Sequence, residues 1–163
     1  VFSLIVLPKR IAEKLRRESE KAGVSEEELV VEALSRMLDE PLDPETRFEV
    51  HLKLSEKYLR DAEELLARGD YVQASEKAWG AAAQMVKAVA AKEGRELRGH
   101  AELWGYMDEL AERAGDVMLR YFWRTANALY QNFYEGWMPP REVGLAVRDV
   151  KVFVEKLRAT ASL

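Results

Sequence analysis

The chain has 163 residues, of which 48% are hydrophobic, and a formal net charge of −4 with no cysteine. That length serves one domain or a small head with a larger body, and the apolar share is enough to bury a core. Disulfides, thiol nucleophiles and cysteine metal sites are excluded, no run reaches the roughly 20 apolar residues of a membrane helix, and neither part is basic: residues 1–40 carry seven Lys/Arg against nine Asp/Glu and the rest 18 against 20, so bulk electrostatics do not favour nucleic acid.

Residues 1–7 are apolar and partly β-branched. They lack a basic lead-in and a small-residue cleavage site, and Pro8-Lys9-Arg10 follows at once. The segment reads as a strand rather than a signal peptide, and the expected compartment is the cytoplasm. Ile11 and Leu15 mark one face of a first helix, which Gly23 ends in the C′ position. Ser25-Glu26-Glu27-Glu28 is a capping box. Val30, Ala33, Leu34, Met37 and Leu38 then recur at helical spacing. Glu40-Pro41-Leu42-Asp43-Pro44 is the linker candidate, with Asp43 as N-cap and Pro44 as first helical residue.

Five helices are expected beyond it. The first runs to about Arg68 with Phe48, Leu52, Tyr58, Leu59, Leu65 and Leu66 inward. The second spans 71–93 and contains Gly80-Ala81-Ala82-Ala83, small residues that admit a close neighbour. A loop over 94–99 leads to a third helix over 101–114. The fourth begins after Gly115-Asp116 and reaches about Tyr134. The last carries Val143, Val147, Val150, Val154 and Leu157 in register. Short connections imply antiparallel neighbours. The fold class is therefore mainly α: a strand–helix–helix head over 1–40 and a five-helix antiparallel bundle over 43–163.

The head resembles the ribbon–helix–helix family of small dimeric DNA-binding proteins, through Ile5-Val6-Leu7-Pro8, Ile11, Leu15, Gly23-Val24-Ser25 and residues 29–38. That resemblance implies a strand paired with its counterpart in a second copy, its outward side chains entering the major groove. Here alternation puts Phe2, Leu4 and Val6 on the outward face if Ile5 and Leu7 face the helices. None of those three can pair with a base edge. The favoured reading is a clasp between copies, a homodimer or higher, made by Phe2, Leu4, Ile5, Val6 and Leu7. Lys9, Arg10, Lys14, Arg16, Arg17 and Lys21 interleave with Glu13, Glu18 and Glu20, which suits a solvated helix face.

In the body, residues 73–83, then His100-Ala101-Glu102-Leu103-Trp104, and Asn127 through Trp137 together resemble the archaeal PaREP family (type 1), distantly akin to the HEPN helical bundles. The resemblance spans about 43–158 and implies the fold more than any activity. HEPN ribonucleases place four to six residues between an Arg and a following His, the His for proton transfer and the Arg to hold phosphate charge. Arg95 stands at that spacing from His100, but in a loop. Arg124 lies on a helix, with Tyr130 where the His would be. A Tyr titrating near ~10 is a poor base at neutral pH.

Asn127 and Asn132 are unusual in an Asn-poor chain and suit a buried network or a pocket lining. Lys77 and Lys87 would lend such a pocket positive charge. Trp79, Trp104, Trp123 and Trp137 suit base stacking or a core. His51 falls on the exposed shoulder of its helix. With two His and no Cys, zinc is not expected. The carboxylate pattern of di-iron bundles and the phosphate-loop, dinucleotide and nucleophile-elbow motifs are missing. No metal and no cofactor are expected.

The favoured function is a non-catalytic, homo-oligomeric binding protein. Its ligand would be RNA, a nucleotide or a protein partner, in a cleft near Lys77, His100, Arg124, Asn127 and Asn132. Two alternatives stay open. One is a HEPN-type ribonuclease with an altered site, using Arg124 or Arg95 with His100. The other is a DNA-binding regulator acting through the head, which needs an open strand face.

Overall fold

The computed structural model describes residues 5–161. Among the described residues seven helices follow one another: α1 (Lys9–Ala22), α2 (Glu26–Leu38), α3 (Pro44–Ala67), α4 (Tyr71–Lys92), α5 (Gly99–Ala114), α6 (Val117–Glu135) and α7 (Pro140–Ala161). The chain forms two compact units, one up to Leu42 and one from Asp43 onward.

In the first unit, Gly23 takes φ 68° and closes α1. The capping box forms as the sequence dictates. The Ser25 hydroxyl accepts from the Glu28 N–H at 3.2 Å, and the Glu28 carboxylate accepts from the Ser25 N–H at 2.8 Å. Each satisfies an N–H that the first helical turn cannot.

The strand expected over 1–7 is not found over Ile5, Val6 and Leu7. They hold no regular structure, and Ile5 and Val6 are 65% and 85% exposed. Phe2 and Leu4 lie outside the described residues. No strand occurs among the described residues. A strand needs a neighbour for its N–H and C=O groups, and among the described residues Ile5–Leu7 have none.

In the second unit, side-chain caps begin three of the helices: Asp43 accepts from the Thr46 N–H, Asp70 from that of Gln73, and Asp116 from that of Met118. The unit is organised around α4, which packs against α3, α5, α6 and α7. Fourteen of its 22 residues are buried. A helix covered all round has no polar face to spare, and its alanines let four neighbours approach. At Gly80 the approach of α3 is close enough that a Cβ there would lie 3.1 Å from the Tyr58 ring. Expected core positions Val143, Val147, Val150, Val154 and Leu157 are all buried.

Two expectations change. In α3 the fully buried set is Leu54, Ser55, Tyr58 and Ala62. Small Ser55 and Ala62 sit against α4 while Phe48, Leu52, Leu59 and Leu66 are only partly covered. The third body helix starts at Gly99, two residues early. The Glu102 carboxylate accepts from the Arg98 N–H at 2.5 Å, and this cap carries the helix back past His100.

Candidate functional site

An aromatic seam joins α4, α5, α6 and α7. Its centre is Trp123 of α6, which is fully buried. Around it stand Trp79 of α4 at 5.3 Å between ring centroids, Trp104 of α5 at 5.8 Å and Phe153 of α7 at 6.0 Å. The Trp123 Nε1–H finds no acceptor among the described residues. Its surroundings are rings, whose faces are weak acceptors.

The seam surfaces where α5 begins and α6 ends. His100, in the first turn of α5, packs on Tyr130 at 4.4 Å and on Trp79 at 5.0 Å. Trp79 and Tyr130 are 5.2 Å apart. Tyr134 follows one turn beyond Tyr130 at 5.1 Å and is 69% exposed. At these spacings the rings touch each other, so no ligand fits between them. Their outer faces form a platform. His100 is open on its outer side while the aromatic neighbours exclude water from the other. That desolvation holds the imidazole below its ordinary pKa, because the charged form loses hydration.

The expected residues divide sharply. His100 and Tyr130 meet directly. Asn127 sits beside the seam: its Oδ1 accepts from the Trp104 indole N–H at 3.1 Å, and its Nδ2 donates to the Trp123 carbonyl at 2.8 Å. Asn132 is buried and works as a tie between helices. Its Nδ2 donates to Ser75 Oγ at 2.9 Å and its Oδ1 accepts from the Met138 N–H at 2.7 Å. It thereby fixes the α6–α7 turn against α4.

Lys77 goes elsewhere. Two positions from Trp79, it is turned roughly 200° around α4, and its ammonium lies 5.0 Å from the Tyr58 ring centroid on α3. Arg124 is exposed on α6 with its guanidinium 5.9 Å from the Tyr121 ring. Arg95 pairs with Glu109 at 2.6 Å and lies over Tyr106. Glu109 is nine residues beyond His100, roughly 13 Å along α5. Neither arginine head group is therefore drawn to His100.

Around Arg95 lies a surface hollow of about 390 Å³, lined in part by Glu96, Glu102, Tyr106 and Glu109. Its carboxylates are engaged: Glu96 with Arg47, Glu102 with the α5 cap, Glu109 with Arg95. The Tyr106 hydroxyl donates to Glu93, and burial together with that carboxylate pushes its pKa to about 12. Among the described residues no group of three His, Asp or Glu is placed to hold a metal ion.

His51 corrects its expectation. It is half-buried, and its Nδ1 lies 2.7 Å from Oε1 of the buried Gln84 on α4. The signal was Gln84 itself, a polar residue inside an alanine-rich stretch. Trp79 was seen in the sequence only as one of four tryptophans. Its partnership with His100 and Tyr130 required three helices to meet.

These features define an all-helical bundle built on a buried alanine-rich helix, with an aromatic platform at one end. The sequence model of the archaeal PaREP1/PaREP8 family matches residues 50–154, and the chain belongs to that family. None of the curated proteins matches it. Among solved structures, a protein from Sulfolobus solfataricus superposes with a TM-score of 0.59 at 24% identity. The alignment covers 68% of this chain and 97% of that one, a likeness of fold alone. Among the described residues no helix is long and apolar enough to cross a membrane.

Proposed function

We propose that this is a cytoplasmic, homo-oligomeric binding protein whose HEPN-like bundle stacks the bases of single-stranded RNA or a nucleotide on its aromatic platform. The observation that carries the reading is the contact of His100 with Tyr130 and Trp79, continued outward by exposed Tyr134. Bases stack on such rings without regard to sequence. Arg124 is exposed on the same helix, over Tyr121 rather than against a carboxylate, and is available to a phosphate. Binding is favoured over catalysis because Arg95 is held by Glu109 and Arg124 lies over Tyr121, away from His100.

The homo-oligomer rests on the head. Ile5, Val6, Leu7, Ile11, Met37 and Leu38 are all exposed in the single chain. Covering them with a second copy would also supply the strand partner that Ile5–Leu7 lack. Deleting residues 1–8 is expected to lower the mass seen by light scattering, and an unchanged mass would remove the head from the assembly.

Fluorescence anisotropy with a mixed-sequence single-stranded RNA, at two salt concentrations, tests the platform. Tyr134→Ala is expected to weaken binding by about five- to a hundredfold, the worth of one stacked base. The same RNA on a gel should remain intact. Cleavage that disappears in His100→Ala or Arg124→Ala would replace this reading with an altered ribonuclease.

A further inference from the structure

The outward face of α7 carries a pattern that neither the core nor the platform uses. Val143, Val147, Val150 and Val154 point inward. On the opposite side Leu145 and Val152 are 44% and 42% exposed. Seven residues apart, they fall within roughly 20° of one another on a helix and make one outward stripe.

The charges beside the stripe alternate by level. Arg148 sits roughly 60° to one side of Leu145, and Asp149 roughly 40° to the other. Two turns earlier Arg141 falls on the Arg148 side and Glu142 on the Asp149 side. Two turns later the signs exchange: Glu155 is on the Arg148 side and Lys156 on the Asp149 side. The two flanks thus carry opposite charges at each level. Lys156 is already bound to Asp116 at 2.8 Å. Among the described residues no hydrogen bond or ion pair holds Arg148 or Asp149. Burial lifts the Asp149 carboxyl above its ordinary pKa, and the charge of Arg148 in the same chain partly opposes that shift.

We propose that this face is a self-docking surface, on which α7 of one copy lies parallel to α7 of a second across a two-fold axis. Leu145 meets the partner's Leu145, Val152 meets the partner's Val152, and Arg148 of each copy meets Asp149 of the partner subunit. The charge pattern selects the direction. A two-fold axis along the helices carries each flank onto the opposite flank at the same level, so opposite charges meet throughout. An antiparallel arrangement carries each flank onto itself with the levels reversed. Arg141 would still meet the partner's Glu155 and Glu142 the partner's Lys156, but at the centre Arg148 would face the partner's Arg148 and Asp149 the partner's Asp149, so only the parallel arrangement pairs opposite charges at every level. The seam has one apolar residue per two turns, half the density of a coiled coil. It therefore rests on the homo-oligomeric reading: the head holds the copies together, and the α7 contact closes as an effectively intramolecular event.

The cysteine-free chain makes the test direct. Leu145→Cys, Val152→Cys and an exposed control, Lys53→Cys, are made singly in the full chain and oxidised mildly, and the mass of the unmodified protein is measured in parallel. Disulfides require Cα atoms within about 7 Å. Self-crosslinking at both 145 and 152, roughly tenfold faster than at 53 given the tether, is expected. Crosslinking only in a mixture of the two variants would overturn the parallel arrangement. No crosslinking in a protein of dimer mass would overturn the surface and leave the head-held oligomer standing. A monomer mass would overturn both. Asp149→Arg is expected to cut the yield in the Leu145→Cys background, and Arg148→Asp with Asp149→Arg to restore it. A double swap that fails to restore the yield would remove the charge pairing from the proposal.

Discussion

The head and the body are written in the same helical code and reach opposite outcomes. In the body, α4 is covered by its own chain: fourteen of its residues are buried. In the head, α1 has no buried residue, and α2 buries only Glu28 of the capping box. Ile11, Met37 and Leu38 stay exposed although their spacing is as regular as that of Val143, Val147 and Val150. Periodicity says which face of a helix needs cover. It does not say whether the cover comes from the same chain or another.

The sharpest way to break this contrast is Trp123→Ala. The residue sits where four helices meet, and removing a large buried aromatic costs about 3–5 kcal/mol. Urea unfolding followed by circular dichroism is expected to show a midpoint lowered by a corresponding amount. A loss below about 1 kcal/mol, the range of surface substitutions, would mean that the body does not depend on its aromatic seam. A smaller effect is expected in the head. Ser25→Ala removes the hydroxyl that accepts from Glu28 and costs about 1 kcal/mol of helix stability. Amide exchange along α2 should quicken while exchange along α4 stays unchanged. Equal quickening in both would show that the two units unfold together.

Much of this was legible before any coordinates. The caps at Ser25 and Asp43 are local chemistry, decided within four residues, and both formed as expected. The valine register of α7 was equally local. The strand was not, because a strand is defined by its partner, and Ile5–Leu7 have none among the described residues. His51 was misplaced because its partner Gln84 lies 33 residues away. Asn127 and Asn132 stood out in composition, yet only the packing of α6 against α4 and α5 showed one as a brace for Trp104 and the other as a tie to Ser75. Lys77 stands only two positions from Trp79 in the sequence, yet the 3.6-residue turn of α4 carries it to the α3 side.

The smallest expected effect concerns the platform and its acidity. The chain has two histidines, so proton NMR resolves their titrations, and His51→Gln assigns them. His100 should titrate below 6.5, because Trp79 and Tyr130 strip water from its charged form. The unfolded chain then binds this proton more readily than the folded one. Between the folded pKa and 6.5 the unfolded state carries more protons, so stability rises with pH across that window and is lost as pH falls through it. Above 6.5 both states are neutral and the contribution is flat. The carboxylates Asp43, Glu109 and Asp116 also favour stability at higher pH, since their folded pKa values are lowered, but from ordinary values of 3.8 to 4.5. Those carboxylate steps lie well below 6.5, so the part of the step just below 6.5 that His100→Gln removes, with His51→Gln as the control for the second histidine, belongs to His100. A His100 that titrates at or above 6.5 would mean that charge on the imidazole is welcomed by the ring faces, and the platform would then be better suited to an anion than to an uncharged base.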